Sequence, residues 1–397
     1  MGRDATRRIT GQAPGASAGG VGTPAAAIQA ASGGGAVESK GAVESKGAVE
    51  SKGAVKGKGA VSNRESRYLP LVTIYDEGEA PVPAKRVQLL PDQTKRLITR
   101  NQSPDIPFDR SINPYKGCEH GCVYCFARPT HAYLDLSPGL DFESRIFYKA
   151  DAVARLEREL SLRSYVPRPI AIGTNTDPYQ PSEKTMRITR EILRTLLEHR
   201  HPVTITTKGA GLLERDLDVL SELAAHNLVS VAISVTTLDN TLKGQLEPRT
   251  PSGARRLRAI AALKDAGVPV GVMVAPLIPW INDSELEAIL EQAAAAGATR
   301  AGYILLRLPG EVRELFAEWL AVHRPERAQH VLNLVRDTRG GELYRARWGE
   351  RMTGTGPVAE LLRQRFEAAR RRLGLTVKHP PLNVESFRVP TPQGSLF

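Results

Sequence analysis

From about residue 110 the chain alternates short apolar runs with longer amphipathic stretches. Runs rich in Val, Ile and Thr at 111–115, 169–173, 203–207, 229–235, 269–275 and 302–306 predict strands. Between them, apolar positions three and four apart predict helices over 150–162, 183–199, 216–226, 254–266 and 284–296. The strand runs lack a clean apolar–polar alternation, as expected where helices cover both faces of a parallel sheet. Six β/α repeats over residues 106–310 predict an α/β fold, a partial (β/α)6 barrel. In such a fold, chemistry gathers at the C-terminal ends of the strands, and the polar motifs of this chain fall there.

The flanks read differently. Residues 1–67 are expected to be a disordered, low-complexity tail, and 68–105 an N-terminal extension. Gly35 to Lys52 is three copies of Gly-Ala-Val-Glu-Ser-Lys, followed by a degenerate copy, Gly53-Ala-Val-Lys-Gly-Lys58. Such a composition offers little burial to offset chain entropy. Residues 311–375 predict a helical extension, whose last helix opens at Pro357 and closes at Gly374. Residues 376–397 carry four prolines and predict an extended tail.

Composition adds limits. Hydrophobic residues make up 41% and charged residues 24% of the 397, as in soluble globular proteins. Arg7 and Arg8 precede a Gly/Ala-rich run rather than an apolar signal core. The longest apolar stretch, 268–281, is interrupted by Pro269, Pro276 and Pro279, so no membrane span and a cytoplasmic location are expected. The net charge is +11. Residues 1–67 hold ten Lys/Arg and five Asp/Glu, which leaves +6 for the other 330 residues. Clusters at Arg255/Arg256/Arg258 and Arg370/Arg371/Arg372 suit a polyanion such as nucleic acid, or a merely solvated basic surface.

All three cysteines lie in Gly117-Cys118-Glu119-His120-Gly121-Cys122-Val123-Tyr124-Cys125, a C-x3-C-x2-C motif. An odd, clustered set argues for a metal or cluster site rather than disulfides. Three thiolates on one loop can hold three corners of a 4Fe–4S cubane and leave the fourth iron open. An open iron can chelate the amino and carboxylate groups of S-adenosylmethionine (SAM) and pass an electron into its sulfonium, leaving a 5′-deoxyadenosyl radical. Tyr124 is placed to pack against the adenine. The alternative is a structural zinc held by the cysteines with His120 or His131, in a non-catalytic zinc- or cluster-stabilised nucleic-acid-binding protein.

The motif after the first barrel strand resembles the signature of the radical SAM superfamily. Its surroundings, Asn113-Pro-Tyr-Lys-Gly-Cys through Cys125-Phe-Ala-Arg-Pro129, resemble the spore photoproduct lyase-like branch. So do Thr176-Asp-Pro-Tyr-Gln-Pro-Ser-Glu183, Thr206-Thr-Lys208 and Glu247-Pro-Arg249. The resemblance implies a radical SAM enzyme holding a 4Fe–4S cluster on Cys118, Cys122 and Cys125. It also implies a flavodoxin- or ferredoxin-like electron donor and SAM binding by Lys208.

The other strand ends supply further candidates. Thr174, Asn175 and Asp177 offer donors and acceptors for the SAM amino group, or a turn that caps a helix. Ser234 is a candidate for the ribose hydroxyls. Arg249 suits a carboxylate or phosphate, or a helix-entry salt bridge with Glu247. The apolar 272–280 run suits an adenine face.

Spore photoproduct lyase uses a further cysteine as hydrogen-atom donor, and this chain has none to spare. That departure speaks against DNA photoproduct repair and against a second cluster. Tyr115 and Tyr179 are candidate catalytic residues in a radical relay instead, with Tyr133 and Tyr303 also near strand ends or the cysteine loop. The terminal Gln393-Gly-Ser-Leu-Phe397 resembles the peptide that docks bacterial proteins onto the DNA polymerase sliding clamp.

Overall fold

The computed structural model describes residues 59–63 and 87–390. The repeats at 35–58 and the clamp-like terminus lie outside the described residues. In chain order the strands are β1 (Gln88–Pro91), β2 (Thr99–Arg100), β3 (Arg110–Ile112), β4 (Tyr115–Lys116), β5 (Arg145–Tyr148), β6 (Ile170–Ile172), β7 (Val203–Thr207), β8 (Val229–Ser234), β9 (Val270–Leu277) and β10 (Arg300–Leu305). Strands β3, β6, β7, β8, β9 and β10 lie side by side and parallel, the expected partial barrel. Their register aligns Ile112, Ile172, Ile205, Val231 and Val270 in one row, each at most 1% exposed. That row belongs to the large apolar core shared by the barrel strands and helices.

The covering helices Ala152–Leu160, Leu217–Ala225, Gly253–Asp265 and Leu286–Ala295 stand where the periodicity predicts them. The helix expected over 183–199 is instead two, Glu183–Met186 and Ile188–Glu198, broken at Arg187 with φ 53°. The cause is Glu183, whose carboxylate folds back to accept the Thr189 N–H at 3.1 Å. A short helix, Asn240–Leu246, was not expected from the sequence. Asp239 caps it by accepting the Thr241 N–H at 2.7 Å.

The first expected strand, 111–115, splits at Asn113–Pro114. Strand β3 stays in the barrel, while β4 leaves it to join a second sheet of order β1-β5-β4. Pro114 has no N–H to offer a ladder, and its carbonyl accepts the Lys149 N–H at 3.1 Å. Both edges of the open barrel are covered. Strand β2 pairs antiparallel with β3. At the far side Ala301 N–H donates to Leu375 O at 3.3 Å, and Val377 N–H to Thr299 O at 3.1 Å. The segment expected as an extended tail from 376 is tied down at its start. Farther on, Phe387 packs against Tyr165, His199 and His201.

The extension consists of helices Val312–His323, Ala328–Asp337 and Gly356–Arg372, the last ending before Gly374 at φ 68°. No helix among the described residues is long and apolar enough to cross a membrane. The two arginine clusters are not free basic patches. Arg255 pairs with Glu214 and the buried Arg256 with Glu247, while Arg370 pairs with Glu367 and Arg372 with Glu291. Four of the six arginines thus have a carboxylate beside them, while Arg258 and Arg371 form no ion pair among the described residues.

Candidate active site

The cysteine loop leaves β4 and ends in the turn Arg128–Leu134. Gly117 and Gly121 take φ of 81° and 67°, and a Cβ on Gly121 would meet Glu143 Oε2 at 2.9 Å. The loop is gripped by Arg128, whose guanidinium is wholly buried. Its Nε donates to Cys122 O at 2.9 Å, and one Nη to Pro138 O at 3.0 Å and Gly139 O at 2.9 Å. The other Nη donates to Glu143 at 2.5 Å.

Burial pushes all three thiols up, Cys122 to about 12, and Asp177 and the other two cysteines raise Cys118 further. Thiolates in such a place need cationic compensation, which an iron–sulfur cluster supplies. Among the described residues, no three His, Cys, Asp or Glu side chains converge on one point suited to a single metal ion. A cubane needs no such convergence, because its corners spread the ligands. Each histidine of the zinc alternative has one ring nitrogen placed against a protein group, and the buried His131 Nδ1 has no hydrogen-bond partner among the described residues. His120 Nδ1 stands 3.5 Å from Asp177, and His131 Nε2 meets the Arg145 carbonyl at 3.0 Å.

Lys208, at the end of β7, comes to the same place. Its ammonium lies 5.9 Å from the centre of the Tyr124 ring. Burial alone would lower its pKa, but Cys122 and Glu247 outweigh that and keep the charge. The Tyr124 hydroxyl donates to Glu247, which also accepts from Thr236 Oγ1 at 2.6 Å and pairs with Arg256. Burial would raise the Glu247 carboxyl, yet Arg256 and Lys208 hold it at about 2. Glu247, Arg256 and Thr236 thus form a buried ionic support beneath Tyr124.

Other candidates turn out to hold the loop. Asp177 accepts from Thr207 Oγ1 at 2.5 Å, Lys208 N–H at 2.7 Å and Tyr179 N–H at 2.9 Å, as well as meeting His120. Arg249 pairs with Glu119 at 2.7 Å, not with Glu247 as the sequence alternative had it. Gln180 accepts the Glu119 N–H at 2.9 Å and donates to Gly117 O at 3.3 Å. Thr174 Oγ1 and the Asn175 N–H both bond Asn113, at 3.1 and 3.0 Å. The hydroxyl of the buried Ser234 takes no hydrogen bond among the described residues, while its carbonyl accepts from Arg256 at 3.0 Å.

Tyr115 and Tyr179 both stand beside Glu183. Tyr115 is 0% exposed and donates to Glu183. Tyr179 is 1% exposed with an unbonded hydroxyl, its pKa pushed up by burial and by Asp216 and Glu183. Tyr303 packs on Phe366 at 4.6 Å, beside the last helix, and Tyr133 is largely exposed. Sequence reasoning missed Arg128, Glu143, Thr236 and Gln180. Arg128 and Gln180 had a local signal, their places in the Cys-Phe-Ala-Arg-Pro and Asp-Pro-Tyr-Gln-Pro runs.

Residues 112–293 match the sequence profile of the Radical SAM superfamily. Uncharacterized proteins of Mycobacterium tuberculosis and Mycobacterium bovis are 40% identical over 297 residues, 74% of this chain and 83% of theirs. One from Methanocaldococcus jannaschii is 25% identical over 200 residues, 50% of this chain and 71% of its own. A spore photoproduct lyase mutant with bound AdoMet and dinucleoside spore photoproduct superposes with a TM-score of 0.53 at 16% identity, over 72% of this chain and 78% of that one. That likeness establishes a common fold. The chain belongs to the radical SAM superfamily of enzymes, whose membership implies SAM and a 4Fe–4S cluster as cofactors.

Proposed function

We propose that Cys118, Cys122 and Cys125 hold the 4Fe–4S cluster and that the enzyme abstracts a hydrogen atom from a nucleic-acid substrate. When bound, the cluster and SAM supply a 5′-deoxyadenosyl radical at the expense of one electron from a flavodoxin- or ferredoxin-like donor. The observation that carries the reading is the meeting of the cysteine loop, with Cys118 and Cys122 buried and Cys125 partly so, and its Tyr124 with Lys208 at the end of β7. Lys208 offers its ammonium to a carboxylate or ribose, Tyr124 its ring to the adenine, and Ser234 an unspent hydroxyl. Asp177 and Arg249 act by fixing the cysteine loop. Both relay tyrosines are enclosed, so the proposal routes no hydrogen atom through Tyr115 or Tyr179.

The nucleic-acid part rests on exposed aromatic rings and one arginine rather than on the paired basic clusters. Phe126 follows Cys125, is 41% exposed, and lies under the Arg307 guanidinium at 4.8 Å. The Arg307 Nε has no hydrogen-bond partner, and one Nη reaches only the Met352 sulfur at 3.5 Å. Trp280, after β9, and Trp348 are 54% and 63% exposed. Exposed aromatic rings suit unstacked bases, and the unpartnered Arg307 Nε is buried beside Phe126.

Anaerobic reconstitution tests the first part. The expected product carries about four irons, gives an EPR signal when reduced and converts SAM to 5′-deoxyadenosine. A protein with one zinc and no SAM cleavage would overturn it. Deuterium transfer from labelled oligonucleotides into 5′-deoxyadenosine tests the second part.

A further inference from the structure

The N-terminal ends of the barrel strands, away from the cysteine loop, carry a second group of polar side chains. Between covering helix and following strand, the chain turns through a left-handed residue at Arg200, Asn227, Gly267 and Gly297, with φ of 50°, 53°, 73° and 100°. Each is the second residue past its helix, and its N–H donates to the carbonyl three residues back at 2.9, 2.9, 3.0 and 2.9 Å. Glycine suits this position and asparagine tolerates it, whereas arginine adopts it at a conformational cost. Arg200 and Asn227 lead into the paired strands β7 and β8. Between these two turns and residues 383–388 of the C-terminal segment lies an open cleft of about 600 Å³.

The polar lining is Arg200, His226, Asn227, Asn383, Ser386 and Arg388, with no carboxylate. Backbone bonds hold its two walls together. Asn383 N–H donates to Asn227 O at 2.9 Å, Asn227 Nδ2 to Pro381 O at 2.8 Å, and Arg388 N–H to His199 O at 3.0 Å. One Arg200 Nη and the Ser386 Oγ are buried without a hydrogen-bond partner. Neither Arg200 nor Arg388 forms an ion pair among the described residues, and Arg388 Nε reaches only Glu198 O at 3.3 Å. A buried guanidinium N–H without an acceptor is costly, and an oxyanion supplies the missing acceptor. We propose that this cleft binds the phosphate group of a small molecule. Donors come from three stretches of chain, at 200, 226–227 and 383–388, which suits the several oxygens of a phosphate better than the two of a carboxylate. Arg200 and Ser386 bond the phosphate, while the exposed Arg388 and His226 add donors at the open side. Lys208 follows β7 and Arg200 precedes it, so the ligand stands a strand length away from SAM. Once bound, it ties the C-terminal segment to the barrel.

Calorimetric titration of the full-length, reconstituted protein with inorganic phosphate and with ADP, in excess SAM, tests the site. Both are expected to bind at millimolar concentration or below. Equal affinities assign the cleft to the phosphate group alone, and tighter binding of ADP assigns it to a nucleotide. Arg200→Gly removes the guanidinium and installs the residue that positions 267 and 297 already use. Its thermal midpoint without ligand should equal or exceed that of the parent, while affinity for both ligands should fall roughly tenfold or more. Arg388→Gln should weaken binding by a smaller factor. Phosphate should slow hydrogen–deuterium exchange at 383–388 in the parent and leave it unchanged in Arg200→Gly. Absence of binding by either ligand at millimolar concentration overturns the proposal, as does equal affinity in Arg200→Gly. A single-stranded oligonucleotide that binds where phosphate and ADP do not, and is lost in Arg200→Gly, assigns the cleft to a nucleic-acid backbone and overturns it too. The titration needs no turnover, so a failure to cleave SAM would count against the proposed function alone.

Discussion

Glu143 and Arg128 meet at 2.5 Å with both side chains wholly excluded from solvent. The pair joins the cysteine loop, through Cys122 O, to the helix Leu140–Ser144 and to the Gly59 and Ala60 amides. Replacing Glu143 by Ala leaves a buried guanidinium without a counter-charge and two amides without an acceptor. The expected loss is about 3–5 kcal/mol. Urea denaturation of the cluster-free protein measures it, and an unchanged midpoint would contradict the role given to the pair.

Lys208→Ala should raise the SAM dissociation constant roughly 10–100-fold, the worth of a hydrogen bond to a charged group. Iron content after reconstitution should stay the same, since Lys208 bonds no cysteine. Calorimetric titration with SAM separates the two effects, and equal affinity in the variant would remove Lys208 from the SAM site.

Trp280 holds φ 66°, a left-handed conformation unusual for a bulky residue, with its N–H on Asp283 at 2.7 Å and its ring edge-on to His330. Trp280→Gly relieves the backbone strain, so stability should stay within about 1 kcal/mol of the parent or rise. If the ring stacks a base, oligonucleotide affinity should fall by about 1–3 kcal/mol, or fivefold and more. Fluorescence anisotropy with labelled single strands decides; unchanged affinity would clear Trp280 of that role.

His201 is buried between Tyr165, whose hydroxyl meets Nε2 at 2.7 Å, and Phe387, and burial holds its pKa at about 4 against 6.5. The unfolded chain therefore binds an extra proton between those values. Stability from this site is complete above pH 6.5 and is lost as pH falls toward 4, by roughly 3 kcal/mol in all. His201→Gln should flatten that part of the stability–pH curve. An unaltered slope would show that other groups set it.

Long periodic segments were legible in the sequence because each carries its own pattern. Strand β7 and the helices over the barrel came within a few residues of expectation. Strands β1, β2, β4 and β5 are two to four residues long, too short for any period, and are made by their partners. The cysteine spacing pointed to the cofactor, and the strand-end motifs pointed to the right neighbourhood. What each polar side chain does there was not legible. Asp177, Arg249, Thr174 and Asn175 have the chemistry to meet a ligand, yet all are bonded to protein groups far away in sequence. Glu143 gave no local signal, since its partners lie 15 residues before it and more than 80 residues upstream.

An open barrel ends in two rows of unpaired amides and carbonyls, the template on which chains add to one another as strands. Here two residues of β2 occupy one row and residues 375–377 the other. The chain is its own terminator on both sides. A strand added directly to the parallel barrel strands would first have to displace one of these terminators.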